Sequence, residues 1–241
     1  MAYKKWWLIL TIGLGIGLIL FNNRYFLLQY TFKKLDRIDI EWMEFPRQKM
    51  VALTFDDGPD PRYTPRILTI LKKYKAPAVF FVTGMNALKY PNLVLDEYRS
   101  GFVIGNHSFS HPHLAILATT KVITELKATD RAIQAVTGMN PSLFRPPYEE
   151  LSDSIITVSR RLHKKIILST ITLEHKSAKN PLAMAERAAK LACPGAIILM
   201  HDGRLNRDQT VRALPYLIKA LTVKGYRLVP LQRLLSTNIR L

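Results

Sequence analysis

"TFDDGPD", residues 54–60, sets two adjacent aspartates between an apolar run and a Gly-Pro turn. The run before it, Met50-Val51-Ala52-Leu53-Thr54-Phe55, is apolar almost throughout, as a strand buried on both faces is. Burying a carboxylate is costly unless a cation, a metal or several donors meet it. Taken alone, Asp56-Asp57-Gly58-Pro59 reads equally well as a turn, because Asp, Gly and Pro are turn formers. What separates the two readings is how the other strands of the chain end.

From residue 49 onward short apolar runs alternate with helical patterns. Strands are expected at 51–55, 78–82, 102–105, 142–144, 165–169, 196–200 and 226–229, and helices at 64–74, 91–99, 120–137, 152–162, 181–191 and 208–224. Asn180-Pro181 supplies an N-cap and a first-turn proline, and Gly138 and Gly225 follow helix ends. Such alternation implies an α/β fold, a parallel sheet covered by helices, and about seven units suggest barrel-like closure. Four polar motifs then fall just after strands: "DDGP", "HSFSH" (107–111), "RPPY" (145–148) and "HDG" (201–203). In a parallel sheet those strand ends share one edge, where α/β active sites are built. A turn alone does not account for that coincidence.

His107 and His111 are four residues apart, so one helical turn would point both rings the same way. With Asp57 they form a set of two histidines and a carboxylate, which suits a catalytic divalent metal with open positions. Asp56 is then free to act as general base, and His201 can protonate a leaving amine. His113 and His163 are read as surface residues.

In their order and spacing "TFDDGP", "HSFSH", "RPPY" and "ILMHD" resemble the motifs of the NodB-type polysaccharide deacetylases, carbohydrate esterase family 4, across residues 49–236. The resemblance implies a distorted (β/α) barrel and one divalent metal, usually zinc, with cobalt or another ion as substitute. It implies hydrolysis of the acetamide of N-acetylated sugars. Asp56 resembles the base, Asp57, His107 and His111 the metal ligands, and His201 the acid. Arg145 resembles the residue that holds the base, and the backbone N–H of Tyr148 the oxyanion donor. Pro146, Pro147 and Leu199 fall where the substrate and its acetyl group are bound.

The fourth family motif departs from its pattern. Here the chain reads "ILSTITLEHKS" (167–177), which places Ile171 at its first Asp, Glu174 at the second and His175 at a Trp. Loss of the acid at 171 is expected to lower the pKa of His201. Glu149 and Glu150 are expected to turn anionic sugars away from the groove or to select a cationic group. These departures keep two alternatives open: a same-fold hydrolase of another N-acylated molecule, such as a membrane glycolipid, or a glycan-binding protein without catalysis.

The 241 residues carry a net charge of +17, which favours polyanionic surroundings, but no nucleic-acid motif accompanies it. One cysteine, Cys193, excludes an internal disulfide and a cysteine-based zinc cluster. Lys4, Lys5, Trp6 and Trp7 precede an uncharged run ending at Phe21, and no small-residue cleavage site follows. The expected organisation is a membrane anchor at 1–24, a stalk at 25–48 and a catalytic domain at 49–241. This predicts a single-pass, monomeric cell-membrane protein with its catalytic domain outside, acting on peptidoglycan or a related N-acetylated glycan.

Overall fold

The computed structural model describes residues 48–236, apart from 177 and 179. The anchor and nearly all of the stalk therefore lie outside the described residues. Eight strands form one parallel sheet: β1 (Met50–Asp56), β2 (Ala78–Val82), β3 (Val103–Asn106), β4 (Leu143–Phe144), β5 (Lys165–Ile166), β6 (Ile171–Thr172), β7 (Ala196–His201) and β8 (Arg227–Leu228). Their order is β5-β4-β3-β2-β1-β7-β6, with β8 beside the start of β1. β5 and β6 are the two edges, so the sheet is a half-barrel rather than a closed one.

The helices are α1 (Thr64–Tyr74), α2 (Gly84–Lys89), α3 (Pro91–Arg99), α4 (Thr119–Thr137), α5 (Asp153–Arg161), α6 (Pro181–Leu191), α7 (Asp208–Val223) and α8 (Leu231–Ser236). Three expected helices match to the residue, and α6 starts where Asn180 Oδ1 accepts from the Ala183 N–H at 2.9 Å. Gly138 ends α4 in the left-handed region. The reading omitted α2, α8 and β6. Each is six residues or fewer, too short to express a period.

Side-chain alternation along β1 sorts the core. Val51, Leu53 and Phe55 face the helices and pack with Ile67, Leu71, Leu214 and Leu217. Met50 and Ala52 face the other way, with Phe81, Ile197 and Leu231. The same parity carries Thr54 and Asp56 to the concave face, so Asp56 is buried by its register in the strand. On β7 the concave positions are Ile197, Leu199 and His201. Two glycines let the loops beyond β1 and β7 touch: a Cβ on Gly58 would lie 2.2 Å from the Asp202 carboxylate, and one on Gly203 2.2 Å from the Asp57 carbonyl.

Candidate active site

Asp57, His107 and His111 converge, with ligand atoms all within 4.8 Å of one another. His107 Nδ1 lies 2.8 Å from the Arg145 carbonyl. A carbonyl only accepts, so Nδ1 carries the proton and the Nε2 lone pair faces Asp57 Oδ1 at 3.6 Å. His111 Nε2 lies 3.1 Å from the same oxygen. That oxygen is buried and makes no hydrogen bond among the described residues. An anionic oxygen without a donor, beside two imidazole nitrogens, fits a bound divalent cation. Burial works to raise the Asp57 pKa, yet the His107 and His111 rings, when they carry the proton on the facing nitrogen, hold it well below the usual carboxylate range.

The two histidines do not share a helical turn. Residues 107–111 form a loop with Ser108 at φ 64° and His111 at φ 59°. Glu125 of α4 fixes it by accepting from the Phe109 and Ser110 N–H groups and from the Ser110 hydroxyl. The rings still meet, with centroids 4.9 Å apart.

Asp56 has its own cation. Arg145 is fully buried and donates through Nη1 to Asp56 Oδ1 and to Thr54 Oγ1, both at 2.8 Å. Its Nε donates to the Ile167 carbonyl at 3.1 Å, and the guanidinium lies 4.4 Å from the Phe81 ring. The fork therefore orients one carboxylate oxygen while the other looks toward His107 Nε2 at 3.7 Å.

The departure in the fourth motif is closed by Glu174. Its Oε2 lies 3.2 Å from His201 Nδ1, and its Oε1 accepts from the His201 N–H at 3.1 Å and from Thr210 Oγ1 at 2.5 Å. Burial works to lower the His201 pKa, but the Glu174 carboxylate raises it on balance. The expected fall is thus corrected to a rise. Strand parity gives the reason: Ile171 pairs with Ile198 on the helix side and belongs to the core, whereas Thr172 pairs with Leu199 and lines the cavity. An acid at 171 would point into packed apolar side chains.

A cavity of about 460 Å³ opens above these groups, bordered by Tyr148, Leu199 and His201, while Pro146 and Pro147 lie outside its lining. Tyr148 sits at φ 59°, its ring stacked on His113 at 4.0 Å and edge-on to His111. His113, read as a surface residue, is exposed but helps build this rim. Glu149 lines the cavity and is held in place there. It accepts from the Ser169 N–H and hydroxyl and lies 3.7 Å from Arg145 Nε, and Glu150 pairs with His113 at 3.0 Å.

Two arginines and a threonine escaped the sequence reading. Arg207, nearly buried, reaches Asp57 Oδ2 at 3.3 Å and the Gly203 carbonyl at 2.8 Å. Arg204 overhangs His111, and Thr210 holds Glu174. The available signal was "HDGRLNRDQT", where cations follow a strand-end histidine. Beneath them burial pushes Asp202 up to about 7, against the Thr64 hydroxyl that donates to it and with the Asp57 and Asp56 charges.

A family model described as polysaccharide deacetylase matches residues 44–167. The peptidoglycan-N-acetylmuramic acid deacetylase PdaC of Bacillus subtilis is 36% identical over 190 residues, 78% of this chain and 39% of that protein. A peptidoglycan-N-acetylglucosamine deacetylase of Bacillus cereus is 32% identical over 198 residues, 81% of this chain and 92% of that protein. Among solved structures, a peptidoglycan N-acetylglucosamine deacetylase superposes with a TM-score of 0.80 at 30% identity, covering 84% of this chain and 95% of that one. A pseudoenzyme of carbohydrate esterase family 4 from Bacillus anthracis superposes with a TM-score of 0.73 at 29% identity, covering 79% and 66%.

Proposed function

Because the chain belongs to the polysaccharide deacetylase family, we propose that it removes N-acetyl groups from the amino sugars of peptidoglycan, releasing acetate and a free amine. The observation that carries this reading is the pairing of two proton-handling groups with their own counter-charges, Asp56 with Arg145 and His201 with Glu174, across one three-ligand site. A glycan-binding site has no use for either pair. The carboxylate on His201 also removes the departure that favoured a non-catalytic protein or a glycolipid hydrolase.

Asp57, His107 and His111 would hold the ion. A divalent metal there, zinc by its histidine and carboxylate set, supplies Lewis acidity toward water and the acetyl carbonyl. Asp56, oriented by Arg145, takes the proton of the attacking water through its free oxygen. The Tyr148 N–H, presented by a left-handed residue, faces the developing oxyanion. Leu199 packs on the acetyl methyl group at the cavity wall. His201, whose pKa Glu174 raises against the effect of burial, gives its proton to the departing amine.

The same proposal places the domain outside the cell as a monomer, tethered by the basic-flanked apolar run near its start. No helix of the described residues is long and apolar enough to cross a membrane.

The test is acetate release by the full chain in detergent, from N-acetylglucosamine oligomers and from peptidoglycan, metal-stripped and then reloaded with zinc or cobalt. Release should depend on metal and drop by about 10³-fold in Asp56→Asn. Stoichiometric metal binding without release from either glycan would shift the site to another acylated substrate. Absence of metal binding would sink the mechanism.

A further inference from the structure

The edge of the sheet opposite the cavity is built from strand starts and from the ends of the helices that return to them, and the proposed reaction uses none of it. Six helices run back into a strand: α1, α3, α4, α5, α6 and α7. Their last turns carry Lys72, Lys73, Arg99, Arg160, Arg161 and Lys190, all exposed. The acids in those turns are Asp96 and Glu97 of α3, and Glu97 is fully buried. The segments that link these helices to the next strand (75–77, 100–102, 138–142, 162–164, 192–195 and 224–226) contain no acid.

Further bases gather where β8 starts beside β1. Lys49 Nζ donates to the Lys224 carbonyl at 3.1 Å, and Arg227 pairs in register with Met50. Helix dipoles favour a base at each C-terminal end, but that attraction fades beyond the last turn, and Lys49 and Arg227 lie on strands or their approaches. The same edge exposes large apolar side chains. Val223 ends α7 at 87% exposed, Leu191 ends α6 at 52%, and Met139 follows α4 at 54%. Met139 also borders, with Tyr98 and Phe102, a cleft of about 260 Å³ lined mainly by apolar side chains. Apolar groups among bases suit the boundary between lipid headgroups and acyl chains. A hydrophilic polyanion would pair with the bases and leave Val223 and Leu191 in water.

The cavity edge is balanced instead. Arg62 and Arg66 share Asp208 there, and Glu149, Glu150 and Asp153 follow β4. An anionic sheet therefore attracts the back edge far more strongly than the cavity edge. Residues 1–47 also join the domain at the back edge, since Lys49 leads into β1. We propose that the back edge is a docking surface for an anionic phospholipid bilayer, with its bases on the headgroups and Val223, Leu191 and Met139 at the acyl boundary, and that docking turns the cavity mouth away from the membrane. The inference does not depend on the deacetylase reading and shares with the proposed function only the membrane tether.

The full chain is placed in nanodiscs of phosphatidylcholine, with or without phosphatidylglycerol, and amide hydrogen exchange is followed at 72–77, 188–195 and 222–227 against 203–208 beside the cavity. Phosphatidylglycerol should slow exchange at the first three segments, leave 203–208 unchanged, and lose its effect at high salt. Lys72→Gln, and then Lys73→Gln added to it, should each lower the docked-to-free ratio by about fivefold. Val223→Ser should lower it by about tenfold at unchanged charge. All three residues are exposed on the other edge from the cavity, so acetate release from soluble oligomers should stay as it is. Exchange that ignores phosphatidylglycerol, slows equally without it, or slows at 203–208 instead would overturn the proposal. Protection by soluble poly(glycerol phosphate) with none on phosphatidylglycerol would give the surface to a polymer and overturn it as well. A chain that stays out of the discs would break the tether reading, and sedimentation with vesicles then reads the same surface: preference for phosphatidylglycerol over phosphatidylcholine supports docking, and equal or absent binding overturns it. Protection in a chain that releases no acetate would break the deacetylase reading and leave the docking surface standing.

Discussion

The two sides of the cavity are built differently. On the side of β1, β3 and β4, each functional group sits inside a compact motif, beside a strand whose last residue is buried, and Arg145 is fully buried among its partners. On the side of β6 and β7, the carboxylate comes from a loop after a two-residue strand, and both Glu174 and His201 keep about a fifth of their side-chain surface in solvent. The first side fixes geometry through packing, so its residues tolerate no shift in register. The second fixes it through three hydrogen bonds to one carboxylate, which can be delivered from wherever the loop allows. The proposed reaction asks for an anion at His201 Nδ1, and it does not need that anion at a particular place in the chain.

The largest expected effect tests the packed side. Arg145→Met would leave Asp56 buried beside the metal ligands without its guanidinium. Breaking a buried pair from one end typically costs about 3–5 kcal/mol, to be read in the urea midpoint of unfolding. Deacetylation should fall at least 100-fold, since the base loses its orientation. Arg145→Lys should not rescue either, because one ammonium cannot meet the Ile167 carbonyl, Thr54 and Asp56 in the same plane. Replacing both partners, Arg145→Met with Asp56→Leu, should recover much of the stability and none of the activity. Full stability in Arg145→Met alone would show that this side is no more tightly determined than the other.

The second effect asks whether the open side is open by necessity. Strand parity places Ile171 in the main core and Thr172 at the cavity. Ile171→Asp should therefore destabilise by about 3 kcal/mol or more, whereas Thr172→Asp should stay within about 1 kcal/mol. If Ile171→Asp instead restored activity to a Glu174→Gln chain, the assigned register of β6 would be wrong.

This contrast also explains what could be read in advance. That Asp56, Asp57, His107 and His111 come together was legible because polar residues at strand ends stand out against apolar runs, Arg145 entered through the family resemblance, and elements such as α1, α3 and α6 express their period. The part of Glu174 was left open because a two-residue strand carries no parity signal, so nothing in "STITLEH" tells which side chain meets His201. The helical turn across 107–111 was a spacing argument, and two left-handed residues satisfied the spacing in another way. Arg204 and Arg207 were hidden because a basic chain of net charge +17 makes single arginines uninformative.

The smallest expected effect is also the most specific to the open side. Glu174→Gln keeps the hydrogen-bonding shape and removes the charge, so it should lower kcat by about 10- to 100-fold without unfolding the chain. The charge has a sign to follow. In the folded chain His201 is raised above its ordinary 6.5 despite its burial, because of Glu174. The acid form therefore persists above pH 6.5, and the basic limb of the rate profile lies there. With Glu174→Gln burial is opposed only by the weaker attraction of Asp56, so that limb should move to lower pH. Stability should follow the same pair. The His201 contribution is complete below 6.5 and is lost as pH rises through its raised folded value. The Glu174 contribution is complete above its ordinary 4.5 and is lost as pH falls through its lowered folded value. The stability difference between wild type and Glu174→Gln should thus be widest between 4.5 and 6.5 and close at both extremes. Glu174→Asp, which keeps the charge on a shorter arm, should hold the limb nearer its wild-type position while losing some rate. A fall in kcat with the limb unmoved would mean that Glu174 only orients the ring, and that the open side, like the packed one, works through geometry alone.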